Sequence, residues 1–183
     1  MYIMEALQEY QALIKDVDRR CDRIRQKYAD HIACVKGCPG NCCRIHISAY
    51  PVAAAFISRA LQKLPGEMIR HIRQKARQTG SFGPCPLLED GACLMYNART
   101  IICRTHGLPI LSEYRGHRSI GFCQKNFQNL PDIHEADAID LGYLNSSLAG
   151  VNHRFMREFA HRLPTGERFT IGEALLMEVK GLP

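Results

Sequence analysis

The 183 residues, 46% of them hydrophobic, suffice for one well-buried domain and are short for two. No uncharged apolar run reaches membrane-spanning length, and the opening MYIMEALQEYQALIKD lacks a basic region followed by an apolar core, so a cytoplasmic location with no membrane partner is expected. The formal charge of +6 and pI near 8.9 are only a weak pointer to nucleic acid: eight bound thiolates with two divalent ions would change that charge by about −4, to roughly +2.

Ile3, Leu7, Tyr10, Ile14, Val17, Cys21, Ile24 and Tyr28 recur at steps of four and three, drawing one apolar stripe along a long amphipathic helix within residues 1–33. Cys21 falls on that seam and packs as a small hydrophobe, which excludes it as a ligand. Arg19, Arg20, Arg23, Arg25 and Lys27 lie on the other faces and read as a solvated surface, which disfavours a nucleic-acid partner.

Nine cysteines need a further reason, and in a reducing cytosol metal ligation is a better one than a disulfide framework. CVKGCPGNCC sets Cys34, Cys38 and Cys42 at C-x3-C-x3-C with Cys43 adjacent, while Gly37, Pro39 and Gly40 preclude a regular helix. Thiolates on such a loop suit tetrahedral zinc or an iron–sulfur cluster. Neighbouring side chains diverge, so Cys42 and Cys43 are poor candidates for two corners of one mononuclear site. More than one metal is the favoured reading; the alternatives are a polynuclear centre using both, or one site with a member of the pair merely buried.

Ser48 to Leu64 predicts a second helix with Pro51 in its first turn, and Pro65 opens a third through about Arg77. After a loop at Gly80–Pro84, CPLLEDGACLMY reads as a small β-hairpin turning at Glu89-Asp90-Gly91, with those acidic residues serving the turn rather than acid–base chemistry. A two-residue Asp90-Gly91 turn pairs Leu88 with Cys93 and sends Cys85 to the opposite face. A three-residue loop with Gly91 left-handed pairs Leu87 with Cys93 and brings Cys85 onto the same face. A centre shared by Cys85 and Cys93 is therefore expected to need the three-residue loop.

Cys103 follows on a short helical turn behind a Thr100 cap, and Cys123, in GFCQKN, returns as the last candidate ligand. His31, His46 and His106 stand three residues from Cys34, Cys43 and Cys103, a ligand-like spacing. With thiols available most histidines are bystanders, and His106 is the strongest of the three. Leu141, Leu144, Leu148, Val151, Phe155 and Phe159 predict a helix, Thr170 with Glu173 a capping box before LLMEV, and Gly181 a helix stop. The fold class expected is mainly α with a small β-hairpin. Helices flank irregular cysteine-rich loops in a single domain over 1–183, with a metal-binding core at 34–123 and C-terminal helices at 135–183.

Gly37, Cys38, Cys42 and Cys43 read GC-x3-CC, and Cys85, Pro86, Leu88, Cys93, Tyr96, Arg99, Cys103 and Arg104 read CP-x-L…C-x2-Y-x2-R-x3-C-R. This stretch, roughly residues 34–123, resembles the YkgJ-type cysteine-cluster family, described as a zinc- or iron-chelating domain with a C-x2-C-x2-C-C signature. Here both gaps of the first run are three residues, and Thr100 stands where a proline usually follows the arginine. The resemblance implies that Cys34, Cys38, Cys42, Cys43, Cys85, Cys93, Cys103 and Cys123 are metal ligands. Tyr96, Arg99 and Arg104 are then cofactor-binding candidates that tune or gate the centre, or else a buried tyrosine and surface arginines supporting the hairpin. Arg99 also suits an anionic substrate or partner.

The leading expectation is a non-catalytic protein binding zinc or iron, an iron–sulfur cluster included. Flagellin lysine N-methylases carry a similar cluster, which makes a metal- or iron–sulfur-dependent enzyme of protein-lysine methyltransferase type, with a protein substrate, the alternative. No glycine-rich strand-to-helix loop marks a cofactor domain for that chemistry. A metal-free thiol-redox pair at Cys42 and Cys43 is the third reading, opposed by the strain of a vicinal disulfide.

Overall fold

An apolar stripe at helical period needs a partner surface, and α1 (Ile3–Lys27) finds it: Leu7, Tyr10, Ile14, Val17, Cys21 and Ile24 are all buried, and Tyr28 continues the stripe just past the helix end. The computed structural model describes residues 3–34, 41–45, 47–79, 83–130 and 132–179, with backbone only for residues 3–6, Asn41 and Cys42. A short 3-10 turn, Ala29–His31, follows α1, and another spans Asn41–Arg44. Four basic side chains of α1 are engaged by their own molecule: Arg19 pairs with Asp16, Arg25 with Asp22, Lys27 with Asp137, and Arg20 donates to the Ala138 carbonyl.

Strand β1 (Ser48–Ala49) precedes α2 (Pro51–Gln62), so the expected helix start at Ser48 is corrected to Pro51. Proline restricts the residue before it to extended backbone, and Tyr50 sits at φ −63°, ψ 154°, where no helix can continue backwards. Ser48 and Ala49 instead pair with Thr170 and Phe169. Nearly all of α2 is buried, with Val52, Ala53, Ala54, Ala55, Ile57 and Leu61 enclosed by α1 and helices later in the chain. Helix α3 (Gly66–Thr79) is amphipathic and buries Ile72 and Ala76; the Pro65 carbonyl accepts its first helical hydrogen bond, from the Ile69 amide.

Strands β2 (Leu88–Glu89) and β3 (Ala92–Cys93) form the expected hairpin, and α4 (Ile101–Thr105) carries Cys103. A second hairpin, absent from the sequence expectations, joins β4 (Ile110–Tyr114) to β5 (His117–Gly121) through Arg115 and Gly116, both at positive φ. β6 (Ile139–Asp140) adds in parallel on the other side of β4.

Helix α5 (Leu141–Phe159) is capped by Asp140, whose carboxylate accepts from the Tyr143 amide, and buries Leu144, Val151, Phe155 and Phe159 against α1 and α2. β7 (Phe169–Thr170) leads into α6 (Ile171–Leu176), where Thr170 and Glu173 form the predicted capping box with reciprocal bonds of 3.1 and 2.7 Å. α6 ends at Leu176, short of the expected stop; Gly181 lies outside the described residues. The chain leaves the helix because the Ser58 hydroxyl donates to the Met177 carbonyl at 2.9 Å with Met177 in extended backbone, and both Met177 and Val179 are buried.

The fold is thus mainly α with small β elements. Among the described residues, no helix is long and apolar enough to cross a membrane.

Candidate metal centre

The β2–β3 hairpin decides where two of the cysteines go. Its register is Leu88 opposite Cys93 and Glu89 opposite Ala92, with Asp90 at φ 47° and Gly91 at φ 76°. This is the two-residue turn, the first of the two registers the sequence left open, and not the three-residue loop that a centre shared by Cys85 and Cys93 was expected to need; Asp-Gly fits its two left-handed positions. Cys85 nevertheless reaches the cavity that Cys93 lines, because it is not part of the strand. The Leu88 amide donates to the Cys85 carbonyl at 2.9 Å, a turn that swings Cys85 away from the period-two alternation. Its own amide donates to the Cys43 carbonyl at 2.7 Å, tying the first cysteine run to the second.

Thr100 takes the backbone position of an α4 cap, but its hydroxyl donates to the Cys103 sulfur at 3.3 Å instead of closing the helix end. The Arg99 guanidinium lies 3.6 Å from the centre of the Tyr96 ring and donates to the carbonyls of Tyr96 and Cys103. Arg104 is no surface arginine: it is buried, paired with Asp18 at 2.6 and 2.9 Å, and donates to the Arg99 and Asn97 carbonyls at 2.7 and 2.5 Å. It pins the loop between the hairpin and α4 onto α1, and Arg25 adds a bond to the Arg104 carbonyl.

On the other side of the cavity the organising residue is Asn126, fully buried. Its Oδ1 accepts from the Ala33 and Cys34 amides at 3.0 and 3.2 Å, and its Nδ2 donates to the Gly107 carbonyl at 2.7 Å and to the Cys34 sulfur at 3.3 Å. The Cys123 amide also reaches the Gly107 carbonyl, at 3.3 Å. The next residue, Phe127, holds φ 59°, a costly conformation for a bulky residue, with its ring buried and its amide bonded to the His31 carbonyl at 2.7 Å.

Gly107, at φ +89°, sits where a side chain would strike the site: an added Cβ would lie 3.0 Å from the Cys34 sulfur and 3.5 Å from the Cys123 Cβ. Gly107→Ala is expected to cost about 2 kcal/mol, from left-handed backbone strain together with overpacking. Urea denaturation checks this, and a variant as stable as the parent would show that Cys34 is not held against Gly107.

These elements line a half-open cavity of about 180 Å³ whose wall includes Cys34, Cys43, Cys85, Cys93, Cys103 and Cys123. Tyr96, Arg99 and Arg104 line it as well, with Arg25 and the exposed His106. Of the other candidates, Cys38 and His46 lie outside the described residues, as does the Cys42 side chain. His31 contributes its backbone to the Phe127 contact, and Cys21 is fully buried on the α1 seam, its thiol pushed up to about 11 mainly by burial. Burial pushes the Cys85 thiol up to about 12; the Leu87 amide opposes this, and the charges of Cys43, Cys103 and Cys93 add to it.

Among the described residues, no three His, Cys, Asp or Glu side chains are gathered into a group that could hold a metal ion. The donor chemistry fits zinc or iron, since the wall is rich in sulfur and two of its sulfurs accept hydrogen bonds from Asn126 and Thr100, as thiolate ligands do. Sequence reasoning missed Asn126, Gly107, Arg25 and the sulfur-directed hydroxyl of Thr100. Only Arg25, one helical turn beyond Cys21, carried a signal, its place beside the apolar stripe. No family model matches the chain, and neither curated proteins nor solved structures offer a match.

Proposed function

We propose that this chain is a cytoplasmic metal-binding protein holding zinc or iron, the latter also as an iron–sulfur cluster, through Cys34, Cys38, Cys42, Cys43, Cys85, Cys93, Cys103 and Cys123. One observation carries the reading: six of these cysteines, drawn from separate stretches of chain, line a single cavity. Lining one cavity with thiols from separate stretches of chain has a clear reason when a cation unites them. The cysteine pattern shared with the YkgJ-type family points the same way.

An enzymatic role, such as protein-lysine methyl transfer, has less support. Arg99 and Arg104, the cations best placed for an anionic substrate, already donate to Asp18 and to main-chain carbonyls.

Anaerobic purification followed by elemental analysis and an absorption spectrum is expected to give at least one zinc or iron per chain. Colourless zinc protein without sulfide would mark a structural or zinc-handling domain. Brown protein with iron and acid-labile sulfide would mark a cluster suited to electron transfer. Metal-free protein with every thiol open to alkylation would overturn the proposal.

A further inference from the structure

We propose that the cleft between the second half of α1 and the turn at Glu135–Asp137 binds a phosphate group carried by a small soluble molecule. The inference is independent of the metal-binding reading, and the cleft shares no lining residue with the cysteine cavity.

Arg20, Arg23 and Lys27 follow one another at steps of three and four, so α1 presents them as one row of cations. With Ala136 and Asp137 of the 3-10 turn and the buried Ile24, they line an open cleft of about 380 Å³. Three cations face one carboxylate there, and that carboxylate is already committed. Asp137 Oδ2 accepts from Lys27 Nζ at 2.6 Å and from the Tyr28 hydroxyl at 2.8 Å. Arg20 is anchored by a neutral acceptor, the Ala138 carbonyl at 2.6 Å, which holds the guanidinium in place without cancelling its charge. Among the described residues, none pairs with or accepts from the side chain of Arg23, which is exposed between the other two cations. Two planar guanidinium forks and an ammonium are the donors that phosphate oxygens take.

The surroundings limit the size of the ligand. Asp16 stands four residues before Arg20 and Asp30 three after Lys27, so the row of cations ends in negative charge on both sides, and Glu135 opens the facing turn. A polyanion running past the cleft would meet these carboxylates, whereas a single phosphate group would not. The neighbouring Arg19 and Arg25 cannot extend the patch at full strength, because each is paired with an aspartate of its own helix.

The test titrates the full-length chain with inorganic phosphate at constant ionic strength, against chloride as the control anion, and follows the amide resonances. Those of Arg20, Arg23, Lys27 and Asp137 are expected to shift to saturation with a midpoint of about 1 mM or below. Arg23→Gln is expected to raise that midpoint about 10-fold, through loss of a charged fork. Arg19→Gln removes the same charge outside the cleft and is expected to leave the midpoint within about twofold, since screened charges act weakly at a distance. Both positions are exposed, so neither substitution disturbs the core. Shifts that never saturate, or equal losses in the two variants, would reduce the effect to diffuse charge and overturn the proposal. Tighter binding to a thymidine oligonucleotide, or to phosphatidylcholine vesicles carrying phosphatidic acid, with the same loss in Arg23→Gln, would overturn the assignment to a small soluble ligand. Metal content measured on the same samples keeps this outcome separate from that of the cysteine cavity.

Discussion

Replacing Asn126 with leucine is expected to destabilise the protein by about 3 kcal/mol and to free Cys34 from the cavity wall. Leucine fills nearly the same volume, so the loss comes from hydrogen bonding. The Cys34 amide and the buried end of Gly107 would each lose a partner, in surroundings where an unsatisfied group costs about 1–3 kcal/mol, while the exposed Ala33 amide can turn to water and the Gly107 carbonyl keeps the Cys123 amide. Because these bonds share one side chain, their losses will not simply add. Urea denaturation gives the stability, and the rate of Cys34 modification by a thiol reagent reports the release, expected to rise at least about tenfold for an opening made easier by 1.4 kcal/mol. A loss below about 1 kcal/mol with unchanged Cys34 reactivity would show that Asn126 is not the clamp. Asn126→Asp sharpens the test by keeping an acceptor for the two amides while setting a carboxylate oxygen against the Gly107 carbonyl and the Cys34 sulfur.

Arg104→Met carries the second large effect, also about 3 kcal/mol. The guanidinium is buried, and its removal leaves Asp18 without its partner and two main-chain carbonyls without donors. Asp18 is 38% exposed, so water relieves part of the cost on that side. The reverse change, Asp18→Asn, is expected to cost about 1–2 kcal/mol, because the buried cation loses its counter-charge but keeps its carbonyl partners. A double-mutant cycle should return a coupling above about 1 kcal/mol; additive losses would mean that the pair is incidental. Arg104 also pins the loop leading to Cys103, so in the proposed metal centre Arg104→Met is expected to lower affinity about 10- to 100-fold, as loss of outer supports of metal ligands commonly does.

The parts legible in the sequence are those governed by local periodicity or local chemistry. The α1 stripe from Leu7 to Tyr28, the burial of Cys21 upon it and the Thr170–Glu173 box follow from neighbours three and four residues apart. The hairpin has one of the two registers read from the sequence, but strict alternation does not extend back to Cys85, because the strand begins at Leu88 and a turn intervenes. Strands β4 and β5 went unread although Arg115-Gly116 is a two-residue turn between them. Gly121 and the polar Ser112, His117 and Ser119 dilute the apolar alternation there. Asn126 could not have been found, since its bond to the Cys34 sulfur spans 92 positions and nothing nearby announces it. For the candidate site, the sequence supplied the sulfur atoms and the fold supplied the groups that hold them.

The distance along the chain between Cys43 and Cys123, which line one cavity, has a consequence for how the protein is made. At about 5–20 residues per second, the ribosome needs roughly 4–16 s to pass over the intervening 80 or so residues. During that interval the strands and the helix that later surround the early thiols are still being made. The wall of the cavity is complete only once β5 and Cys123 beyond it have been made, so the early thiols stay open to solvent longer than the late ones.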